Sequence, residues 1–290
     1  MDFHLMREAR AEAENYLLTL GLDISSQSLR DAMFSYFNVK HKFIEQKKRK
    51  VHFAKHLKKK AEELNLINLI KTIEVKFNSG DDINPYLSKG VLRPNDHDLL
   101  LNDWRINHLH VSESKRRPDD YFMERSNYLL FFHLDQDSAY FIDMREHGEN
   151  QVFAKKELLR IIKANWPDIE RKFRFGDYNM KMTHNPSEEE IAYLKQKRIG
   201  LLFPTEVDGV TYMPGSGSAT SGFSIQAGRE MDRFHRELYM IQGYFDNNGD
   251  LIKKQLEEKL SKKLTKLDFS VKLRDGMFYI YEKNSNYYFS

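Results

Sequence analysis

The stretch YLLFFHL-DQDS-AYFIDM, residues 128–144, decides the fold. Two runs rich in aromatic and aliphatic side chains flank four turn-forming residues, which reads as an antiparallel hairpin. Each run is apolar on both faces, so the hairpin is predicted to sit in the middle of a sheet with cover on either side.

Working outward, Ile106 to Val111 alternates apolar and polar residues like a strand, with His108 and His110 on one side. Phe153 to Asn165 has helical periodicity and stops at Pro167. Further on, Ser187 and Glu190 form a capping box, and Asp208-Gly209 and Asp275-Gly276 mark hairpins. A helix is predicted from Ala227 to Phe245, then a turn at Asn247 to Asp250, then a charged helix from Leu251 to Leu264. Upstream, Leu5, Ala9, Ala13 and Leu17 give an amphipathic helix ended by Gly21. The expected class is α+β: an N-terminal helical region with a long basic helix, then mostly antiparallel sheet with flanking helices. Breaks in composition suggest three regions, 1–78, 79–175 and 176–290.

The chain has 290 residues and a formal net charge of only +3. That average hides a segregation. Lys40 to Lys60 holds ten Lys/Arg and one acid, so this segment carries +9 and the rest of the chain −6. No Pro or Gly interrupts Ser28 to Asn65, and Phe43, Ile44, Val51, Ala54, Leu57 and Ala61 recur at helical spacing. A long helix is therefore expected, with Lys47, Lys48, Arg49, Lys50, Lys55, Lys58 and Lys59 as a phosphate-binding face for RNA or DNA. A solvated face, or one that docks on the acidic remainder of the chain, is the plainer alternative, and in a non-catalytic protein it would meet an acidic partner.

Cysteine is absent, which excludes disulfides, thiolate metal sites and a cysteine nucleophile. No apolar run approaches the roughly 20 residues of a membrane span, and the N-terminus lacks the order of a signal peptide. The expectation is a soluble, cytoplasmic protein without membrane contact, of unspecified oligomeric state.

Five of the eleven histidines fall between residues 97 and 147, beside Arg, Tyr and carboxylates. Such a set suits proton transfer near neutral pH. In a metal-free, cofactor-free ribonuclease, His108 or His110 would be the base, His147 the acid, Arg125 the phosphate clamp and Tyr140 an orienting group. The chemistry resembles that of small bacterial ribonuclease toxins, which place His, Arg and Tyr on a sheet. A nucleic-acid-directed ribonuclease of bacterial toxin or phage-defence type is the leading expectation. The alternatives are a non-catalytic nucleic-acid adaptor or phage-encoded inhibitor, and a metal-dependent phosphohydrolase with His108, His110 and His147 as ligands beside Asp103 or Asp143. The small-residue stretch Pro214 to Gly222 reads as a flexible tip or an anion-binding loop.

Overall fold

A computed structural model describes residues 4–289 except 95, 97, 116, 150–155, 177–181, 198–203, 216, 218 and 220–223. In chain order the elements are α1 (His4–Thr19), α2 (Leu29–Lys42), β1 (Lys50–Phe53), α3 (Leu57–Glu63), α4 (Ile67–Ser79), α5 (Leu99–Trp104), β2 (Ile106–His110), β3 (Tyr128–Leu134) and β4 (Ser138–Glu146). They continue with α6 (Glu157–Asn165), α7 (Pro167–Arg171), α8 (Glu188–Gln196), β5 (Thr205–Val207), β6 (Val210–Tyr212), α9 (Ile225–Leu260), β7 (Phe269–Arg274), β8 (Met277–Glu282) and β9 (Tyr287–Phe289). The class is α+β, with helices at the N-terminus followed by sheet.

The chain divides into two compact units, residues 41–226 and a unit joining 1–40 to 227–290. The regions expected from composition divide differently. Ile70, Ile73 and Phe77, before position 78, share one core with Leu109, Phe132 and Phe141 after it.

In the larger unit the strand order is β1-β4-β3-β2. The β3–β4 hairpin is central, as its two-sided apolarity requires. One face, including Leu109, Leu130, Phe132 and Phe141, packs on Leu57, Ile70, Ile73 and Phe77 of α3 and α4. The other, including Ile106, Leu129, Phe131 and Ile142, packs on Leu100, Trp104, Leu158, Leu159, Ile162 and Ile169 of α5, α6 and α7. Each fully buried Phe or Leu contributes roughly 2 kcal/mol of transfer free energy.

The register slips between Phe131 and Phe132. Phe132 faces Phe141 while Phe131 faces Asp143, which leaves Ile142 as the extra residue of a β-bulge. The slip changes the phase of β4. Tyr140 lies in line with His133 and Ile106, but beyond the bulge Asp143 lies in line with Phe131 and His108, and Arg145 with Leu129 and His110.

The long basic helix is not formed. α2 ends at Lys42, and Lys50–Phe53 is a strand parallel to β4. The backbone between them is held elsewhere: the Asn84 side chain accepts from the Ile44 N–H at 2.6 Å and donates to its carbonyl at 2.8 Å. The Arg49 N–H donates to the Phe77 carbonyl at 2.8 Å. Lys50/His52 and Val51/Phe53 alternate with strand period, and pairing with β4 outweighs the helical spacing.

In the smaller unit α9, Ile225 to Leu260, is two helical stretches joined at Asn248, which has non-helical angles (φ −124°, ψ 22°). The expected turn at Asn247 to Asp250 is thus a kink. β7, β8 and β9 form an antiparallel sheet, and Asp275 and Gly276 both take positive φ in its first turn. α1 lies along β7 and satisfies its outer edge: His4 Nε2 meets the Phe269 carbonyl at 3.0 Å, and the Glu12 carboxylate accepts from the Leu273 N–H at 2.9 Å. The expected strand Leu201 to Phe203 lies outside the described residues.

Gly80 ends α4 at φ +81°, and a Cβ there would meet the Lys48 backbone nitrogen at 2.9 Å. Gly209 has φ +72° with nothing near. Gly80→Ala is therefore expected to cost about 2–3 kcal/mol and Gly209→Ala about 1 kcal/mol, read as urea midpoints. Equal losses would refute the close approach.

Candidate functional site

The bulge decides which side chains meet. By strict alternation β4 would direct Tyr140 and His147 to opposite faces. The extra residue returns Asp143, Arg145 and His147 to the face of His108 and His110. The rings of His110 and His147 stack with centroids 5.5 Å apart and planes 18° from parallel.

His110 is 2% exposed, whereas His147 is open to solvent. Burial, with the neighbouring His108, His147 and Arg125, pushes the His110 imidazole down to about 4, so it is neutral at pH 7. The Ser126 N–H faces its Nδ1 at 3.4 Å. That contact is long, but it favours the tautomer with the proton on Nε2. His108 is also depressed by burial, with Asp98 opposing the shift and His147 adding to it. Its Nδ1 is 3.9 Å from the Asp98 carboxylate. Asp98 in turn caps α5 by accepting from the Leu101 N–H at 3.0 Å.

Lys42 was not evident from the sequence, and Asp143, a candidate metal ligand there, is engaged in ion pairs instead. Lys42 is buried and donates to the Arg93 carbonyl at 2.7 Å. Burial pulls its ammonium down to about 8 against the attraction of Asp98 and Asp96. Asp143, 1% exposed at the bulge, accepts from Lys60 Nζ at 2.8 Å, meets His56 Nε2 at 3.1 Å, and pairs with Arg145 Nε at 2.5 Å. Burial alone would raise the Asp143 carboxyl. The Lys60 and His56 hydrogen bonds and the charges of Lys60 and Arg145 outweigh it and hold the group below its usual range.

Of the residues singled out from sequence, His108, His110 and His147 converge, with Arg125 exposed nearby and felt by His110. Tyr140 does not join them. It stacks on His52 at 4.9 Å and meets Trp166 edge-on at 5.2 Å, at the other end of the face.

The basic residues are dispersed. Arg49 is buried, with its guanidinium on the Glu45 carbonyl at 2.7 Å. Lys47 pairs with Asp137 at 2.8 Å and Lys59 with Glu63 at 3.7 Å, and Lys58 lies 4.6 Å over the Phe53 ring. Lys48, Lys50 and Lys55 are exposed. Lys50 faces Ser138, at the start of β4, while His147 follows its end. Nine residues of strand, about 30 Å, separate those two ends.

Among the described residues, no group of three or more His, Asp or Glu side chains is placed to hold a metal ion. In the small-residue loop, the Gly215 and Gly217 N–H groups are spent on the Asp103 and Asn102 carbonyls at 2.7 and 2.9 Å. No family model, curated protein or solved structure matches the chain.

Two stability tests follow from these burials. His110 and His133 are both held near 4, mainly by burial, against an ordinary 6.5. The unfolded chain therefore takes up protons first on acidification. Their contribution is complete above pH 6.5 and is lost as pH falls towards 4, by roughly 1 kcal/mol per pH unit per histidine. Urea titrations should show this slope, and His133→Asn should flatten it; an unchanged slope refutes the assignment. Asp143→Asn leaves Lys60 and Arg145 without their counter-ion and should cost about 3 kcal/mol at pH 7, more than Lys60→Met. A smaller loss for Asp143→Asn than for Lys60→Met would contradict this account.

Proposed function

We propose that the chain is a nucleic-acid-directed protein of bacterial toxin or phage-defence type that acts in the cytoplasm as a metal-independent ribonuclease. The observation that supports this most is the stacked pair of a buried, neutral His110 and an exposed His147, with Arg125 close by.

Each residue takes the role its environment suits, which differs from the assignment expected from sequence. His147, open to solvent, accepts the proton of the ribose 2′-hydroxyl. The 2′-oxygen attacks phosphorus and the bond from phosphorus to the 5′-oxygen breaks. A 2′,3′-cyclic phosphate forms, and the 5′-oxygen takes its proton from solvent. His110, with its proton on Nε2, donates a hydrogen bond to a non-bridging phosphate oxygen, and Arg125 balances the charge that develops there. Lys55, Lys58 and Lys59 supply salt-dependent affinity from α3 and the residues before it, on the strand edge that carries Asp143.

A second reading, a non-catalytic adaptor or inhibitor, draws support from the distance between Lys50 and the histidine pair. It expects polyanion binding without cleavage. The metal-dependent phosphohydrolase has no ligand set among the described residues.

The deciding experiment incubates the protein with end-labelled RNA, with and without a chelator. Cleavage should persist in chelator and fall at least about 100-fold in His147→Ala and His110→Ala, with Tyr140→Phe within about twofold of wild type. Cleavage that survives both histidine substitutions, or that the chelator abolishes, would overturn the proposal. Reversing Lys55, Lys58 and Lys59 to Glu should weaken RNA binding and flatten its salt dependence by about 0.7 per lost phosphate contact. Unaltered affinity would remove that segment from the interface.

A further inference from the structure

The sheet of the smaller unit has two unlike faces. Its register places Phe269, Val271, Leu273, Phe278, Ile280 and Phe289 on one side. These enter an aromatic core, in which Phe278 stacks on Phe234 at 4.6 Å and Phe245 on Phe269 at 3.9 Å. The opposite side carries Tyr279, Tyr281, Tyr288, Lys272, Arg274 and Met277. Met277 is 54% exposed and both cations are exposed, while the three tyrosines are half-buried, as rings standing on an open sheet are. An outward face ordinarily carries small polar and charged residues.

The rings are arranged as well as abundant. Tyr281 and Tyr288 stack across β8 and β9 with centroids 5.2 Å apart and planes 18° from parallel. The Arg274 guanidinium lies over the Tyr288 ring at 4.3 Å and donates to its hydroxyl. A planar cation thus occupies the place on Tyr288 that a nucleobase would take. Arg274 lies on this face, and Lys272 is held by Glu12 at 3.1 Å in an exposed pair that a phosphate can replace. Within residues 269–289 the acids are Asp275, in the turn, and Glu282. Glu282 is fully buried, where it accepts from the Asp268 and Ser285 N–H groups. Lys283, exposed beyond it, pairs with Glu8 at 3.6 Å and Asp268 at 3.7 Å. Aromatic rings on an antiparallel sheet beside Arg and Lys form a surface on which unpaired bases stack while the cations meet the backbone.

We propose that this outward face binds single-stranded RNA, with bases stacked on Tyr288, Tyr281 and Tyr279 and phosphates met by Arg274 and Lys272. On binding, a base replaces the guanidinium on Tyr288 and Arg274 turns to the adjacent phosphate. A duplex hides the faces of its bases and is bound less tightly. The site lies wholly within the smaller unit and does not depend on cleavage at the histidine pair.

The test is fluorescence anisotropy of the full chain with a labelled 2′-O-methyl oligouridylate about 12 nucleotides long, which lacks the free 2′-hydroxyl that cleavage needs. Tyr281→Ala and Tyr288→Ala should each weaken binding about tenfold. Tyr281→Phe and Tyr288→Phe keep the ring and should retain the affinity, which separates stacking from a general loss of structure. The single strand should bind at least about tenfold more tightly than the same sequence in duplex form. The tenfold losses in the tyrosine variants should persist when His110→Ala and His147→Ala are also present. Wild-type affinity in the double tyrosine-to-alanine variant, or equal affinity for the duplex, would each overturn the proposal.

Discussion

An antiparallel strand pair keeps its side chains in phase only while residues oppose one another singly, and in β4 that pairing is broken once, at Ile142. The extra residue costs a ladder position, but its side chain is fully buried in the core beneath α5, α6 and α7, which offsets the cost. Everything on β4 after it depends on the resulting change of phase. Arg145 and His147 share a face with His108 and His110 only because Ile142 is there. β1 also stops at Phe53, short of the bulge, and α3 takes over the strand edge through Lys60 and His56. Bulge, short strand and carboxylate form one construction.

Burial of ionisable groups is resolved in two opposite ways within this sheet. His110 and His133 give up their charge. Asp143 keeps its charge because three cationic or protonatable side chains surround it. The first solution leaves a neutral ring whose donor and acceptor are fixed by neighbours. The second clamps α3 to β4 across more than eighty residues of sequence. In the histidine pair, the buried ring of His110 thus lies against an exposed ring of His147.

What the sequence revealed was what local chemistry decides. The central hairpin was legible because both of its runs are apolar on both faces. The capping box of Ser187 and Glu190 was legible because its two hydrogen bonds span three residues. The Asp275-Gly276 turn was legible because positive φ needs such residues. The strand β1 was obscured because Val51, Ala54, Leu57 and Ala61 satisfy helical spacing. Its real partner, β4, is distant in sequence, and the lack of Pro and Gly only permits a helix without requiring one. The convergence of His108, His110 and His147 was readable from their residue types. The roles of Asp143, Lys42 and Tyr140 were not, because an ion pair leaves no trace in spacing and the bulge has no signature in the string of letters around Ile142.

The smaller unit is discontinuous, since residues 1–40 complete their fold only with residues 227–290. During synthesis the N-terminal helices therefore leave the ribosome long before the strands and the long helix that cover their apolar stripes. The larger unit is contiguous and can close its core in the meantime. α1 and α2 must wait with Leu5, Leu17, Met33 and Tyr36 uncovered, so the interval between their emergence and that of β7–β9 is when this chain is most exposed to proteases, chaperones and its own neighbours.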